Sequence, residues 1–446
     1  MLLSLGLAFT ACVHEEDDIF SKSAAERLNE ASALYTQRLT AQPNGWAMQY
    51  YPTLEDEYPY GNGYLILCRF MKDMSVDVAM NNRFSGNTFK NDTSFWEVIT
   101  DNGPVLSFNS FNQVMHAFSY PEDIPWTGDK DNANDETGTG AEGDYEFIIV
   151  DAPADASYLM LKGKKRGTYN LLTPIEEGVV YKDYLDSIIN FNKVMFSESA
   201  PTYNVVHFGS KTYKMDGAND GIPNIYPYDG DAIVNESFNP FLITMRGGDY
   251  YLRFRDAIEV DGGKKVQDFH YIADEDRFVS TSVADCFITG DTIPRFFKEN
   301  LSSGNVWELS AKSEMSEQMK QLFDDAAAGF KARSYTLNKV SLSISQGMTK
   351  LIVNYKVKAN QAKTYNYNYT FTDEGVKFDT LSPGDSSAEN MMNSIAGLKP
   401  LLEAFATEFV LSKDKTSFSL STIKFTSKTD SNLWAIMSLL QTQSNI

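Results

Sequence analysis

The residue types that most often carry out chemistry occur here in spacings that exclude the common nucleophilic and metal sites. The four histidines form no HExxH pattern and lie near no cysteine cluster; they are His14, His116, His207 and His270. The sequence has no GxSxG turn for an activated serine and no GxxxxGK[ST] loop for a phosphate. We therefore assign no catalytic residue, no metal site and no cofactor from the sequence.

Carboxylates are abundant enough to leave acid and base catalysis open. The chain has 60 Asp and Glu residues, and a glycosidase needs only two carboxyl groups about 5 to 10 Å apart. No pair stands out, so a hydrolase with a carboxylate pair remains an alternative without assigned residues. Residues 129–135 resemble a calcium-binding loop only loosely, because Ala133 stands where an EF-hand needs a side-chain ligand. A solvated acidic loop is favoured there.

Three tyrosines alternate with asparagines along one predicted strand. Because side chains on a strand point alternately to opposite faces, Tyr365, Tyr367 and Tyr369 share one face. If that face is exposed, it offers a flat platform on which sugar rings could stack. If it is buried, the three rings belong to the core. The pattern leaves both interpretations open and favours the core.

Cys12 is the residue whose surroundings indicate a specific chemical modification. It follows a short apolar run and stands directly after two small residues, Thr10 and Ala11. About ten apolar residues are too few to span a bilayer as a helix, and the pattern is typical of a signal peptide that ends at a lipid-attachment cysteine. We predict that residues 1–11 are a signal peptide and that acylated Cys12 binds the lipid bilayer. The alternative is a buried N-terminal segment with Cys12 as a core thiol.

The residues around Cys12 refine this prediction. A signal peptide begins with a basic residue, but none precedes Cys12, so we expect the signal peptide to be truncated and translation to begin upstream of Met1. Residues 12–22 would form a lipidated acidic tether that includes Glu15, Glu16, Asp17 and Asp18. Acyl chains anchor a protein durably without any transmembrane helix.

Composition indicates a globular protein that does not bind nucleic acid. Hydrophobic residues make up 42% and charged residues 22% of the 446 positions. The net charge of -21 repels nucleic-acid phosphate, and no basic stripe offsets it. Apart from Cys12 there are only Cys68 and Cys286. We expect two buried free thiols, with a disulfide between them left open.

The pattern along the chain predicts two mainly β modules with a few helices. A capping box at Ser23 begins a helix, and short alternating strands follow near residues 46–51, 63–71, 75–79, 94–100, 104–109, 113–119, 144–150 and 157–163. Such short spacings leave no room for crossover helices. We therefore expect antiparallel meanders, barrel-like or sandwich-like, with a closed or nearly closed barrel preferred for the first. The predicted modules are residues 23–198 and 199–446.

The second half repeats this pattern with more helices. A helix at residues 181–196 ends the first module, and in the second module helices are predicted at residues 312–332 and 387–406, with a last short helix at the C-terminal end. The predicted strands lie near residues 203–208, 211–215, 241–246, 249–255, 266–272, 277–281, 335–345, 349–358, 364–372 and 375–379, and further strands run to about residue 426.

Several segments in the first half together resemble a known family. Beside the lipid-attachment pattern and the helix start at Ser23, these are Pro43-Asn44-Gly45-Trp46, Asp101-Asn102-Gly103-Pro104, Gly143-Asp144-Tyr145 and Gly163-Lys164-Lys165-Arg166-Gly167. They resemble an uncharacterised family of Bacteroidetes lipoproteins, of the domain of unknown function 4302 type, often encoded beside SusC/SusD-like uptake genes. The acidic run after Cys12 also resembles the surface-export signal of such lipoproteins.

The anchor and the resemblance together lead to one functional expectation and two alternatives. We expect a surface-exposed outer-membrane lipoprotein, without enzymatic activity, that assists capture or uptake of a glycan or other nutrient. The partners implied are the bilayer and a SusC/SusD-like uptake complex or a glycan. The alternatives are the carboxylate-pair hydrolase and a structural or adhesive surface protein.

Overall fold

The computed structural model describes residues 22–54, 62–101, 103–120, 141, 143–196, 204–228, 238–290, 292–345, 347–414 and 420–440. Their strands form three antiparallel sheets of nine, eight and eight strands that follow one another along the chain. The protein is thus mainly β with a few helices, as the alternation of apolar residues predicts. The predicted C-terminal range, 199–446, contains the second and third of these sheets.

Helix α1 (Ala24–Leu39) begins where the capping box predicts. The Glu26 N–H donates to Ser23 Oγ over 3.3 Å, and the Ser23 N–H donates to Glu26 Oε2 over 2.9 Å. The helix lies against the first sheet, where Ser32 Oγ donates to the Val98 carbonyl over 2.7 Å. At its end the Trp46 indole N–H donates to the Leu39 carbonyl, which connects α1 to the strand that follows.

The first sheet curls until its two edge strands are joined by a single residue. Its strands are β1 (Trp46–Tyr50), β2 (Tyr64–Phe70), β3 (Ser75–Met80), β4 (Lys90–Phe95), β5 (Glu97–Thr100), β6 (Pro104–Ser107), β7 (Glu146–Asp151), β8 (Leu159–Gly163) and β9 (Tyr169–Pro174). Their order is β4-β3-β2-β1-β9-β8-β7-β6-β5. Only Trp96 lies between β4 and β5, so the two edges must come together there. This gives the nearly closed form that was expected.

The predicted strand at residues 113–119 is wrong. Met115–Phe118 form a short 3-10 helix instead. The amide oxygen of buried Asn112 accepts hydrogen bonds from the N–H groups of Val114 and Met115, each over 3.0 Å. These two bonds cap the helical turn, because an asparagine side chain competes with the strand ladder for backbone donors.

Helix α2 (Tyr181–Met195) covers one face of the second sheet. The strands of this sheet are β10 (Asn204–Phe208), β11 (Lys211–Asp216), β12 (Asn224–Pro227), β13 (Phe241–Arg246), β14 (Asp249–Val260), β15 (Lys264–Ile272), β16 (Arg277–Ser280) and β17 (Cys286–Gly290). They are ordered β12-β11-β10-β17-β16-β15-β14-β13. Residues of α2 such as Leu185 and Ile188 share one core with this sheet and with Leu67 of β2.

The third sheet is a closed barrel. It comprises β18 (Val306–Ser310), β19 (Thr336–Ser345), β20 (Met348–Lys356), β21 (Asn360–Phe371), β22 (Gly375–Pro383), β23 (Glu408–Lys413), β24 (Thr422–Ser427) and β25 (Trp434–Leu440). Four helices contribute to its core: α3 (Ile293–Ser302), α4 (Glu317–Ala332), α5 (Ser386–Ser394) and α6 (Leu398–Ala404).

Two helix predictions for this region are wrong. The helix predicted at 387–406 is two helices, because Gly397 adopts a φ of +77° between them. The last short helix is strand β25, which pairs with β24 and β18 and closes the barrel. That pairing lies between segments far apart in sequence, so local periodicity does not reveal it.

Cys68 and Cys286 are free and buried. They lie in the cores of the first and second sheets respectively. Burial raises the pKa of the Cys68 thiol well above its usual range, so this group is held as an unreactive thiol. The expectation of two buried free thiols is confirmed.

Candidate functional site

The sequence-predicted residues do not form a site. Tyr365 and Tyr367 are buried in the barrel core, and their hydroxyls donate to the carbonyls of Ala388 and Leu402 over 3.2 and 2.7 Å. Tyr369 is half-buried against the same core. The core interpretation therefore applies, and the sugar-stacking platform is wrong for Tyr365 and Tyr367. Cys12, and the possible calcium loop at 129–135, lie outside the described residues.

The outer face of the second sheet carries a row of side chains that face one another across successive strands. The register pairs each residue directly with the next, and the row is Tyr251, His270, Val279, Phe287, His207 and Thr212. We call these six residues the aromatic row. All are half-buried. The opposite face of the same strands packs on α2, where Phe191 contacts Phe278 at 6.0 Å between ring centroids.

Two imidazoles of the aromatic row are stacked on neighbouring rings. His270 lies 4.7 Å from Tyr251 with 14° between the ring planes, and His207 lies 4.2 Å from Phe287 with 19° between them. Because the two rings of each pair are nearly parallel, each ring covers one face of its partner. Asp249 Oδ2 lies 3.5 Å from His270 Nε2, which places a hydrogen-bond acceptor beside one pair.

An arginine lies over each of the two stacked pairs. The Arg246 guanidinium is 4.0 Å from the centroid of the Tyr251 ring, and that of Arg277 is 4.9 Å from the Phe287 ring. Such cation–π contacts hold the planar guanidinium flat on the surface with its N–H groups pointing sideways. Arg277 also forms an ion pair with Glu275. Each of Tyr251 and Phe287 thus has an imidazole on one face and a guanidinium on the other, which leaves the ring edge for further contacts with hydrogen-bond donors beside it.

His207 is held in the neutral form at physiological pH. Burial lowers its pKa, and the positive charge of Arg277 lowers it further. Its Nδ1 lies 3.3 Å from Thr212 Oγ1. A neutral imidazole carries one donor and one acceptor nitrogen, so His207 can bond hydroxyl groups in either direction.

The surface is concave beside Phe287. A cavity of about 540 Å³ is lined by Phe287, Arg277 and Val279 together with Gly209, Ser210, Ala284 and Asp285. This volume is in the range of small-molecule sites. The lining combines a ring, a guanidinium, a hydroxyl and a carboxylate. That combination suits a ligand that has an apolar face and many hydroxyl groups.

A second cavity lies between the end of α2 and the start of β13. Its volume is about 530 Å³, and its walls include Ile189, Phe196 and Phe241 with the amides of Asn62 and Asn192. The Asn62 amide nitrogen donates to the Asp220 carbonyl over 2.6 Å. This cavity has no stacked ring pair in its lining, so we assign the candidate site to the aromatic row.

The described carboxyl groups give no support to an acid–base pair. Four have a displaced pKa, and all four are lowered by hydrogen bonds from nearby N–H or hydroxyl groups: Glu26, Asp73, Asp155 and Asp385. A general acid needs the opposite shift. In the described part of the chain no three His, Cys, Asp or Glu side chains converge as a metal site would require.

One family-like segment has a structural role. Asp144 is buried, and its two carboxylate oxygens accept hydrogen bonds from the N–H groups of Lys165 and Arg166, each over 2.8 Å. A Cβ on Gly163 would lie 2.2 Å from Asp144 Oδ2. The Asp144 carboxylate thus fixes the turn between β8 and β9. The Gly-Asp segment supplies the acceptor of this turn, and the Gly-Lys-Lys-Arg segment supplies the N–H donors.

Sequence reasoning missed the aromatic row for an identifiable reason. Strands near residues 249–255, 266–272 and 277–281 were predicted, but β17 was not. Without β17, Phe287 has no place in the sheet, and nothing connects its two cross-strand partners, His207 and Val279. Alternation alone could have placed Tyr251 and His270 on a face of their strands.

The described fold and site define a β-rich protein with an aromatic surface row and three successive antiparallel sheets. The chain belongs to the family described as domain of unknown function DUF4302, whose sequence profile matches residues 16–273. This range contains the whole first sheet and most of the second. No curated protein matches the chain. None of the helices in the described ranges is both long and apolar enough to cross a bilayer.

Solved structures give only remote similarity. The chain is 9% identical to the DNA polymerase III subunit beta sliding clamp of Bartonella birtlesii, with a TM-score of 0.13, and the match covers 93% of this chain and 98% of that one. For the corresponding subunit of Thermotoga maritima the identity is 9%, the TM-score 0.14, and the coverage again 93% and 98%. The C. crescentus clamp is 11% identical over 92% and 97%, with a TM-score of 0.14. TM-scores this low carry no argument about fold or function.

Proposed function

We propose that this protein is a surface-exposed outer-membrane lipoprotein that captures a glycan on the aromatic row and does not change it chemically. In this proposal the acylated Cys12 anchors the chain, and residues 12–22 hold the folded part away from the bilayer. The captured glycan passes to a SusC/SusD-like uptake complex. The observation that carries the binding step is the aromatic row itself.

The chemistry of the aromatic row suits a sugar. A pyranose ring has an apolar C–H face that stacks on aromatic rings, and its hydroxyls need donors and acceptors at the ring edge. Tyr251 and Phe287 supply apolar ring edges, while Arg246, Arg277 and neutral His207 supply hydrogen-bonding groups. These groups follow one line across the sheet, so successive sugar units of a chain can contact them in turn.

The overall charge narrows the class of glycan. With a net charge of -21 the protein repels polyanions at long range. Arg277 is already paired with Glu275, and Asp285 lies in the same cavity. An uncharged glycan is therefore favoured over a sulfated or highly uronated one.

The test is glycan binding by the full chain purified in detergent. We expect an array of common host and dietary glycans to give at least one uncharged ligand. Phe287→Ala and Tyr251→Ala should each weaken its affinity about 2- to 13-fold, because each removes an aromatic contact worth about 0.5–1.5 kcal/mol. Tyr169→Ala is the matched control, since Tyr169 is an exposed tyrosine on the first sheet.

The same experiment separates this function from its alternatives. Absence of binding to every glycan on the array would overturn glycan capture. Release of new reducing ends during incubation would support the hydrolase with a carboxylate pair. Binding to host cells that free glycans do not compete would support an adhesive role instead.

A further inference from the structure

A second group of rings lies beside the first sheet and takes no part in the aromatic row. The His116 ring is stacked on that of Tyr145, at 4.7 Å between centroids with 26° between the planes, and contacts the Phe111 ring at 5.4 Å with a tilt of 40°. We call these three residues the ring stack. Phe111 is 65% exposed and Tyr145 42% exposed. Large rings at this exposure do not contribute to the core, so packing within the fold does not explain them.

The loop that carries the ring stack is held rigidly. Asn112, next to Phe111, is fully buried and uses both ends of its amide. Its oxygen accepts from Val114 and Met115, and its nitrogen donates to Ser94 Oγ over 3.0 Å and to the Asp92 carbonyl over 3.3 Å. Rings held in place before binding lose little entropy when a ligand arrives.

The central imidazole has a defined tautomer. His116 Nδ1 accepts a hydrogen bond from the Asn112 N–H over 3.2 Å, so Nδ1 carries no proton and Nε2 carries one. Burial lowers the pKa of His116, although the bond from Asn112 opposes the shift. At neutral pH the ring stack is therefore uncharged, with one N–H donor between two apolar rings.

Other groups extend this surface. The Phe95 side chain is 58% exposed, and its backbone N–H donates to Ser110 Oγ over 2.8 Å, directly beside the loop of the ring stack. Next to Tyr145 in sequence, Glu146 forms an ion pair with Lys164, which also binds Asp101. A further exposed ring and a hydroxyl group thus lie next to the loop of the ring stack.

We propose that the ring stack is a second glycan-binding surface, distinct from the aromatic row, that takes an uncharged pyranose ring. This inference rests on the proposed function for the class of ligand. A chain with two such surfaces would hold a long glycan at two points, and its avidity for a polymer would exceed its affinity for a short oligosaccharide.

The size of the ring stack argues against a protein partner. An aromatic side chain buries about 150–250 Å² at most, so three rings contribute less than the roughly 800 Å² per partner that a stable interface needs. The net charge of -21 opposes an anionic ligand at this surface too. An uncharged polyol with an apolar face fits both constraints.

The test counts sites by isothermal titration of the full chain in detergent. The probes are maltohexaose, cellohexaose, xylohexaose and N-acetylchitohexaose. We expect at least one of them to bind at two sites per chain, and Phe111→Ala or Phe287→Ala each to weaken one of these sites about 2- to 13-fold and to leave the other unchanged. Tyr169→Ala should leave both. Because Phe111 is largely exposed, its replacement should not alter the melting temperature.

The outcomes distinguish the two proposals. A single site that Phe287→Ala weakens and Phe111→Ala leaves unchanged would overturn the ring stack but keep glycan capture. Absence of binding by all four hexasaccharides and by the glycan array would overturn both. A dimer that Phe111→Ala dissociates, seen by mass photometry, would show that the rings bind a second copy and would also overturn the proposal.

Discussion

Protonation of two half-buried imidazoles should determine how the stability of this fold changes in mild acid. The pKa of His116 and that of His207 are lowered in the folded state, mainly by burial. An unfolded histidine has a pKa of about 6.5, so below that pH the unfolded chain binds more protons. The stability that the neutral rings contribute is therefore present above about pH 6.5. It is lost as the pH falls through the lowered pKa values that the two histidines have in the folded state.

We expect the melting temperature to fall between about pH 7.5 and pH 5.5 and to recover when the pH is restored. His116→Gln should make this fall smaller, because the group that resists protonation is gone. Calorimetry at the two pH values measures the effect. If the melting temperature of both His116→Gln and His207→Gln fell with pH as much as that of the natural chain, this explanation would be contradicted.

Asp144 gives a second prediction for a single side chain. Replacing it by alanine leaves the N–H groups of Lys165 and Arg166 without their carboxylate partner. We expect the free energy of unfolding of the first sheet to fall by about 2–4 kcal/mol, because hydrogen bonds to charged groups are worth about 1.5–3 kcal/mol each and are not additive. Urea denaturation measures this change.

The control for Asp144 is an exposed aspartate with a similar local bond. Asp155 Oδ1 accepts from the Ser157 N–H over 3.1 Å in an open turn. Asp155→Ala should change the urea midpoint far less, because water can replace the lost bond. Equal losses for the two variants would show that the burial of Asp144 does not matter.

The junction between helices α5 and α6 depends on a glycine. Gly397 has a φ of +77°, and a Cβ there would lie 2.5 Å from the carbonyl carbon of Asp325 in α4. Gly397→Ala should therefore lower the melting temperature strongly, since α4 and α6 would have to separate. Gly304→Ala is the matched control: Gly304 has a similar φ of +84° but nothing within 4 Å. It should show only the backbone cost of about 1 kcal/mol.

Secondary-structure elements with local signals could be predicted from sequence. The capping box at Ser23 placed the start of α1, and helical periodicity placed α2 within a residue at each end. Elements fixed by partners distant in sequence could not. Strand β25 is defined by its pairing with β18, more than a hundred residues earlier. Asn112 caps the turn at residues 115–118 locally, but its amide is held in place by Ser94 and Asp92, which are distant in sequence.

The difference between local signals and contacts between distant segments also explains why the candidate site could not be predicted from sequence. Alternation placed Tyr365 and Tyr367 on one face but could not tell whether that face was buried, and the helices that cover it follow later in the chain. The aromatic row needs five strand pairings at once, and the pairing of β10 with β17 is the one that brings His207 beside Phe287. Ring contacts of this kind are a property of the sheet and not of any one segment.

For the whole molecule, the anchor and the binding surfaces make separate predictions. Cys12→Ala should move the protein from the outer-membrane fraction to the soluble fraction, because the acyl chains supply the membrane affinity. Fractionation followed by immunoblotting measures this. A Cys12→Ala protein that stays with the outer membrane would refute lipid anchoring but would leave glycan binding untouched.

Binding of a fluorescent glycan to intact cells tests the central proposal most directly. The ligand is the uncharged glycan that the array identifies, and the cells carry either the natural chain, the Tyr251→Ala, Phe287→Ala double variant, or the Tyr169→Ala control at equal surface amounts. We predict that cells with the double variant bind at least tenfold less fluorescent glycan than cells with the natural chain. Cells with the Tyr169→Ala control should bind as much as cells with the natural chain. Equal binding by all three strains would contradict glycan capture on the aromatic row.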